Sequence, residues 1–197
     1  MKKYIWVLIC ICFCVIVYWI ISLTNEKSEV LKTNAIPITN KVIVLDAGHG
    51  LPDQGAVGVY STTEQFINLQ ITLKLKQLLE QSGLNVILTR SDENGIYSAQ
   101  AKSIYDKKVS DIKNRVDLVN NSRADILVSI HLNKYPQDSI YRGWQTFYQN
   151  NNSDSMKLAE SIQKSLNNNI EYNNTRTCHI IKDIYLMDNI TIPGVIV

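Results

Sequence analysis

The sequence predicts an α/β domain with a largely parallel sheet flanked by helices, preceded by one N-terminal transmembrane helix. Three observations predict it. Short continuous apolar runs, of which Val42-Ile-Val-Leu45 is the clearest, suit strands covered on both faces. Longer stretches with helical spacing separate those runs, the alternation that builds parallel sheets. At the start of the chain, Lys2 and Lys3 precede a nearly unbroken apolar stretch from Tyr4 to Leu23. That length is close to the ~20 residues a helix needs to cross the hydrocarbon core.

A cleaved secretory peptide is the competing reading of the N-terminus. It has a shorter apolar region and a small-x-small cleavage site, and none is evident before Thr24. Tyr4, Trp6, Tyr18 and Trp19 stand near the two ends, where interfacial aromatics belong, and the positive flank stays in the cytoplasm. The expected organisation is a membrane anchor or signal sequence over 1–23, a polar stalk over 24–40, and one domain over 41–197 outside the cytoplasm. The stalk carries Pro37 and little apolar content.

Within the domain, Val42–Leu45 is the first strand, and a helix follows from about Thr62 to Gln81, with Phe66, Leu69, Leu73 and Lys76–Leu79 recurring at helical spacing. Gly83 closes that helix. Leu84–Thr89 is a strand. Arg90–Ser110 is a polar excursion with a helical piece, and Asp111–Asn121 is a helix. Asp125–Ile130 and Gly143–Tyr148 are strands, Ser155–Leu166 a helix, Ile184–Met187 a short strand, and Gly194–Val197 begins another. His49 follows the first strand and His131 follows Asp125–Ile130, so both fall at the carboxyl edge of the sheet, where ligands gather in open α/β folds.

Composition narrows the function. The formal net charge is +2 over 197 residues, which gives no basic field for nucleic acid. Apolar residues make up 45% and charged residues 19%, a globular balance. Cys10, Cys12 and Cys14 lie in the apolar run and Cys178 stands alone, so neither a disulfide framework nor a CxxC metal motif is present.

His49 sits in Asp46-Ala-Gly-His-Gly50, either as a backbone-satisfied turn residue or as a metal ligand on a rigid bend. Glu64 closes Ser61-Thr-Thr-Glu64, which reads first as a capping box. His131, after Ile126-Leu-Val128, is a ligand at the mouth of the sheet or a core histidine. His179 reads as a surface or turn residue. Asp46 is an acceptor for a histidine or a turn cap. Cys178-His179 are adjacent in sequence, which is not the spatial pairing of a thiol–imidazole dyad. Ser129 is set aside as a nucleophile because strand alternation is read as turning it away from His131. No acidic pair is nominated for a glycosidase.

In order along the chain, Val42-Ile-Val-Leu-Asp-Ala-Gly-His-Gly50, Glu64 with Asn68-Leu69, Asn114-Arg-Val116 with Asn120, Ser129-Ile-His-Leu-Asn133 and Pro193-Gly-Val-Ile-Val197 resemble the zinc amidases that hydrolyse N-acetylmuramoyl-L-alanine (the Amidase_3 family). The apolar N-terminus, the compact size and Gly143-Trp-Gln-Thr-Phe-Tyr148 are most similar to the spore-cortex (CwlD) type. The resemblance implies that His49, Glu64 and His131 bind one Zn²⁺ with an open position for water, and that the bond cleaved joins muramic acid to L-alanine. It also implies a place in cortex maturation towards muramic δ-lactam, and a secreted or lipoprotein partner as a candidate.

The family carries a second glutamate after its last strand, as general base. The expectation is that this residue lies beyond Val197 and the chain is truncated before it, so no catalytic base is assigned within 1–197. Glu160 and Glu171 lack the strand-end context. A metal site without its base would lose the ~10²–10⁴-fold that positioned acid–base catalysis supplies. A non-catalytic, membrane-tethered wall- or partner-binding protein is therefore the alternative, with a zinc peptidase cutting within the stem third. Leu51-Pro52 after His49-Gly50, and Lys134 after Asn133, also depart from the family pattern.

Overall fold

The computed structural model describes residues 40–133, 143–150, 152–170 and 174–197. The expected transmembrane helix over 1–23 and nearly all of the stalk lie outside them. Among the described residues, no helix is long and apolar enough to cross a membrane.

Six strands form one sheet: β1 (Val42–Ala47), β2 (Asn85–Leu88), β3 (Ile126–Ile130), β4 (Phe147–Gln149), β5 (His179–Ile181) and β6 (Gly194–Ile196), in the order β2-β1-β3-β6-β4-β5. Four of the five pairings are parallel, and β4 runs antiparallel to β6. The helices are α1 (Glu64–Gln81), α2 (Ile104–Asn121), α3 (Ser153–Asn169) and the short α4 (Tyr185–Asn189). The expected α/β domain with a largely parallel sheet is present.

Strand alternation divides the core into two layers. Val44, Leu127 and Ile196 pack with Val116 and Val119 of α2 and Leu186 and Met187 of α4. Ile43, Leu45, Val128 and Val195 face the other way, against Leu75 and Leu79 of α1 and Ala159 and Ile162 of α3. An apolar run such as Val42–Leu45 has no polar face because neither side of the sheet meets water.

Five expectations change. α1 turns polar groups inward in its first three turns, burying Glu64, Gln65, Asn68 and Thr72 beside Leu69, and leaves Phe66 and Leu78 exposed. These turns abut the strand ends rather than the apolar core, so the inward face is set by what it meets. α2 starts at Ile104, seven residues before Asp111. Ser103 and Asp106 form a capping box, with Asp106 N–H donating to Ser103 Oγ at 3.0 Å. Of Gly143–Tyr148 only Phe147 and Tyr148 are strand, and β4 runs on to Gln149. The preceding residues bond outward to α3 instead, Thr146 N–H to Gln163 Oε1 at 2.8 Å and Trp144 Nε1–H to Asn167 Oδ1 at 2.7 Å. Ile184–Met187 is not a strand: Asp188 N–H donates to Ile184 O at 2.9 Å and Ile190 N–H to Leu186 O at 3.2 Å, the i to i−4 bonds of the short helix α4, which buries Leu186 and Met187. His179 is exposed, as expected, but lies in the edge strand β5 rather than in a turn.

The ends of β1, β3 and β6 finish side by side. Gly48 N–H donates to the Ile130 carbonyl at 3.0 Å, and His131 N–H to the Val197 carbonyl at 3.0 Å. These bonds carry the ladder one step past the strands and bring the residues after β1 and β3 to one edge.

Candidate metal centre

His49 enters the site from the turn after β1, His131 from the end of β3, and Glu64 from the first residue of α1. Their nearest ligand atoms all lie within 4.8 Å of one another. Glu64 Oε1 lies 3.2 Å from His49 Nε2 and 3.1 Å from His131 Nδ1. The two rings meet edge to face, with centroids 5.0 Å apart. The backbone fixes the carboxylate from both sides: Leu132 N–H donates to Oε1 and Ala56 N–H to Oε2, each at 2.9 Å. The capping box expected at Ser61–Glu64 does not form. Thr63 caps α1 without a side-chain bond, and Glu64 turns to the histidines.

Close packing holds the rings against bare backbone. A Cβ on Gly48 would lie 2.4 Å from His131 Cε1 and Nε2, and one on Gly55 would lie 2.7 Å from both Glu64 Oε2 and His49 Cδ2. His49 has a left-handed backbone, φ +62°, which turns its side chain back over the strand ends. Its Nδ1 is 3.0 Å from Asp53 Oδ2, and Asp53 Oδ1 is in turn 2.9 Å from Lys108 Nζ. With Nδ1 engaged by a carboxylate, Nε2 is the nitrogen left to face Glu64 and the cluster, the division of labour seen at metal-bound histidines.

The carbonyls of the His49 turn are held from below by two buried arginines. Arg90 Nε donates to Ala47 O at 2.8 Å and its Nη2 to Gly48 O at 3.0 Å, while Arg115 Nη2 reaches His49 O at 2.6 Å. Arg115 also pairs with Asp46 and, through Nε at 2.7 Å, with Asp111. Asp46 accepts further bonds from the Thr89 and Ser129 hydroxyls. Ser129 and His131 line one cavity: two positions apart, they share a strand face as period-two alternation requires, which corrects the expectation that they face opposite sides of the sheet. Ser129 is unavailable as a nucleophile because its hydroxyl is committed to Asp46.

The electrostatics fit a cation. Burial opposes a charged His49, but the hydrogen bonds and charges of Asp53 and Glu64 outweigh it and hold the imidazole up at about 9. Glu64 is held well below the usual carboxylate range: burial pushes it up, and the two histidines with the Ala56 and Leu132 amides overcome that. Asp46 stays ionised at about 2, since Arg115, Ser129 and Thr89 prevail over burial. The site therefore favours positive charge between its three donors. Two imidazoles and one carboxylate are a donor set that suits zinc, and the convergent atoms and glycine-lined approach fit one ion.

Sequence reasoning brought His49, Glu64 and His131 together, and the structure places them so. It assigned no role to Asp53, Arg90 or Lys108. The one signal for them was local: Asp53 stands four residues after His49, and Arg90 stands two residues past the end of β2. Asn68 and Arg115 stood in the family pattern without a role. Here Asn68 Nδ2 donates to Gly48 O at 3.2 Å, and Arg115 anchors the turn.

Comparison with known proteins agrees with this geometry. The N-acetylmuramoyl-L-alanine amidase family (Amidase_3) matches residues 43–197. The germination-specific N-acetylmuramoyl-L-alanine amidase of Bacillus subtilis is 34% identical over 196 residues, covering 100% of this chain and 81% of the relative. The CwlD amidase of Clostridioides difficile, solved in complex with the GerS lipoprotein, superposes with a TM-score of 0.76 at 43% identity, over 80% of each chain. An N-acetylmuramoyl-L-alanine amidase from Clostridium difficile 630 gives 0.66 at 28% identity, over 79% of this chain and 77% of that one. The chain belongs to the Amidase_3 family, as an N-acetylmuramoyl-L-alanine amidase of the CwlD type that acts on peptidoglycan.

Proposed function

We propose that His49, Glu64 and His131 hold one zinc ion for hydrolysis of the amide between N-acetylmuramic acid and L-alanine, in maturation of the spore cortex towards muramic δ-lactam. The observation that carries the reading is the convergence of three donor atoms within 4.8 Å on neighbouring strand ends. When bound, the metal supplies Lewis acidity towards the amide carbonyl and lowers the pKa of water in its open position. The chain's own residues do the positioning. Asp53 fixes the His49 ring through Nδ1, the Ala56 and Leu132 amides fix Glu64, and Arg90 and Arg115 hold the turn that presents His49.

The cortex role is supported by the germination-specific relative and the CwlD neighbour. The neighbour's complex with a lipoprotein supports a lipoprotein partner for this chain too. Residues 1–23 would tether the domain outside the cytoplasmic membrane, on the length and flanking charge of that segment. Product analysis tests the reaction. Full-length protein given zinc and cortex peptidoglycan should release intact peptides that begin with L-alanine, and the His131→Ala variant should release none. Peptides cut within the stem would replace this reading with a peptidase. Intact stems after incubation with zinc-loaded protein would remove the hydrolytic role.

A further inference from the structure

Among the described residues, one cation beside the cluster has no acid to neutralise it. The cavity that borders His49 and His131 runs along the start of α2, where Tyr97, Lys107 and Lys108 join Asp53 and Asp111 in its wall. The carboxylates of that wall are matched. Asp46 and Asp111 both pair with Arg115, and Asp53 pairs with Lys108 at 2.9 Å. Lys107 differs: among the described residues its ammonium meets the face of the Tyr97 ring, 4.8 Å from the centroid, and no carboxylate. A ring face attracts the ammonium but leaves N–H donors free for a stronger acceptor.

The pair is held in place on both sides. The Ser103–Asp106 capping box fixes the start of α2 one residue before Lys107. The segment carrying Tyr97 is tied to the same helix at its neighbours, with Asn114 Nδ2 donating to Ile96 O at 2.6 Å and Ser98 N–H donating to Ser110 Oγ at 2.9 Å. Ring and ammonium are thus set before a ligand arrives, which lowers the ordering cost of binding.

We propose that Lys107, laid on Tyr97, is an anion subsite that takes a carboxylate of the stem peptide on the leaving-amine side of the scissile amide. This rests on the amidase reading of the cluster. The chemistry sets the orientation: once the lactyl carboxyl is tied up in the amide, the N-acetylated glycan half is uncharged, while the peptide half carries acidic side chains and a C-terminal carboxylate. An unmatched ammonium in the wall of the same cavity discriminates between those halves by charge.

The test uses zinc-loaded full-length protein and two soluble probes, N-acetylmuramoyl-L-alanyl-D-isoglutamate and the same compound with its free carboxylates amidated. The acid should have a KM about tenfold below that of the amide, the size expected of one charge-assisted hydrogen bond. Lys107→Met should bring the ratio of the two KM values to about one, Lys107→Arg should keep the preference, and Tyr97→Leu should reduce it. Equal KM values for both probes with the wild type, or a Lys107→Met variant that keeps the preference, overturn the subsite and leave the amidase reading standing. Hydrolysis of neither probe overturns the amidase reading and the subsite with it.

Discussion

The two histidines of the centre stand at the ends of neighbouring strands, yet they are held by different physics. The turn after β1 is fastened by charge. Arg90 and Arg115 bond the carbonyls of Ala47, Gly48 and His49, and Asp53 with Lys108 fixes the His49 ring. The end of β3 is fastened by packing and ladder: His131 N–H continues the pairing to β6, and its ring presses on Gly48 where no Cβ fits. A left-handed turn cannot rely on a β-ladder, so it needs side chains to satisfy its carbonyls. A residue that extends a strand needs only room.

Arg115 carries the largest share of the charge-fastened side. Its side chain is 2% exposed and serves Asp46, Asp111 and the His49 turn together. Arg115→Ala leaves the buried Asp46 carboxylate without its counter-charge, so stability should fall by about 3–5 kcal/mol, measured by urea denaturation. Burial makes Arg90 easier to deprotonate, down to about 10, and the nearby Arg115 charge adds to this. Arg90 bonds the carbonyls of Ala47, Gly48, Gln65 and Asp92 but no carboxylate, so Arg90→Ala strands no buried charge and should cost less than Arg115→Ala in the same experiment.

The packing side is tested at Gly48. Gly48→Ala places a methyl against the His131 ring, and overpacking of this kind costs about 1–3 kcal/mol. Because the ring must move, zinc affinity should fall as well, and a zinc titration against a chelator reads both wild type and variant. A variant with wild-type zinc affinity would show that the ring has more freedom than this contact allows. Next comes Asp53→Asn, which keeps the shape but weakens the bond to His49 Nδ1. Loss of such an orienting partner lowers metal affinity by about 10–100-fold. The smallest effect belongs to Lys108→Ala. Its ion pair with Asp53 is half exposed, and pairs of that kind contribute about 0–1 kcal/mol. An Asp53→Asn variant no weaker than Lys108→Ala would mean that His49 is oriented by its backbone alone.

The same contrast explains what could be read from the sequence. β1 and β3 were legible because an apolar run covered on both faces has few other ways to exist, and His131 followed from the strand it ends. Glu64 was not legible from position: Ser61–Glu64 has the form of a cap, and only the ordered family pattern pointed to the metal. The contacts of Asp53, Arg90 and Arg115 join residues up to 69 positions apart, such as Arg115 Nη1 to Asp46 Oδ1, and leave no local period. α4 was misread because five residues with two adjacent apolar side chains fit a strand and a helical turn equally well. The start of α2 had a signal, Ser103 followed three residues later by an acid, hidden in a polar stretch.

Zinc titration of metal-free full-length protein, with a competing chelator, tests the shared centre most directly. The account predicts one tight site per chain, lost in His49→Ala, in Glu64→Gln and in His131→Ala alike, since all three donors converge on one point. Full zinc occupancy retained by any one of these variants, at wild-type affinity, would contradict it.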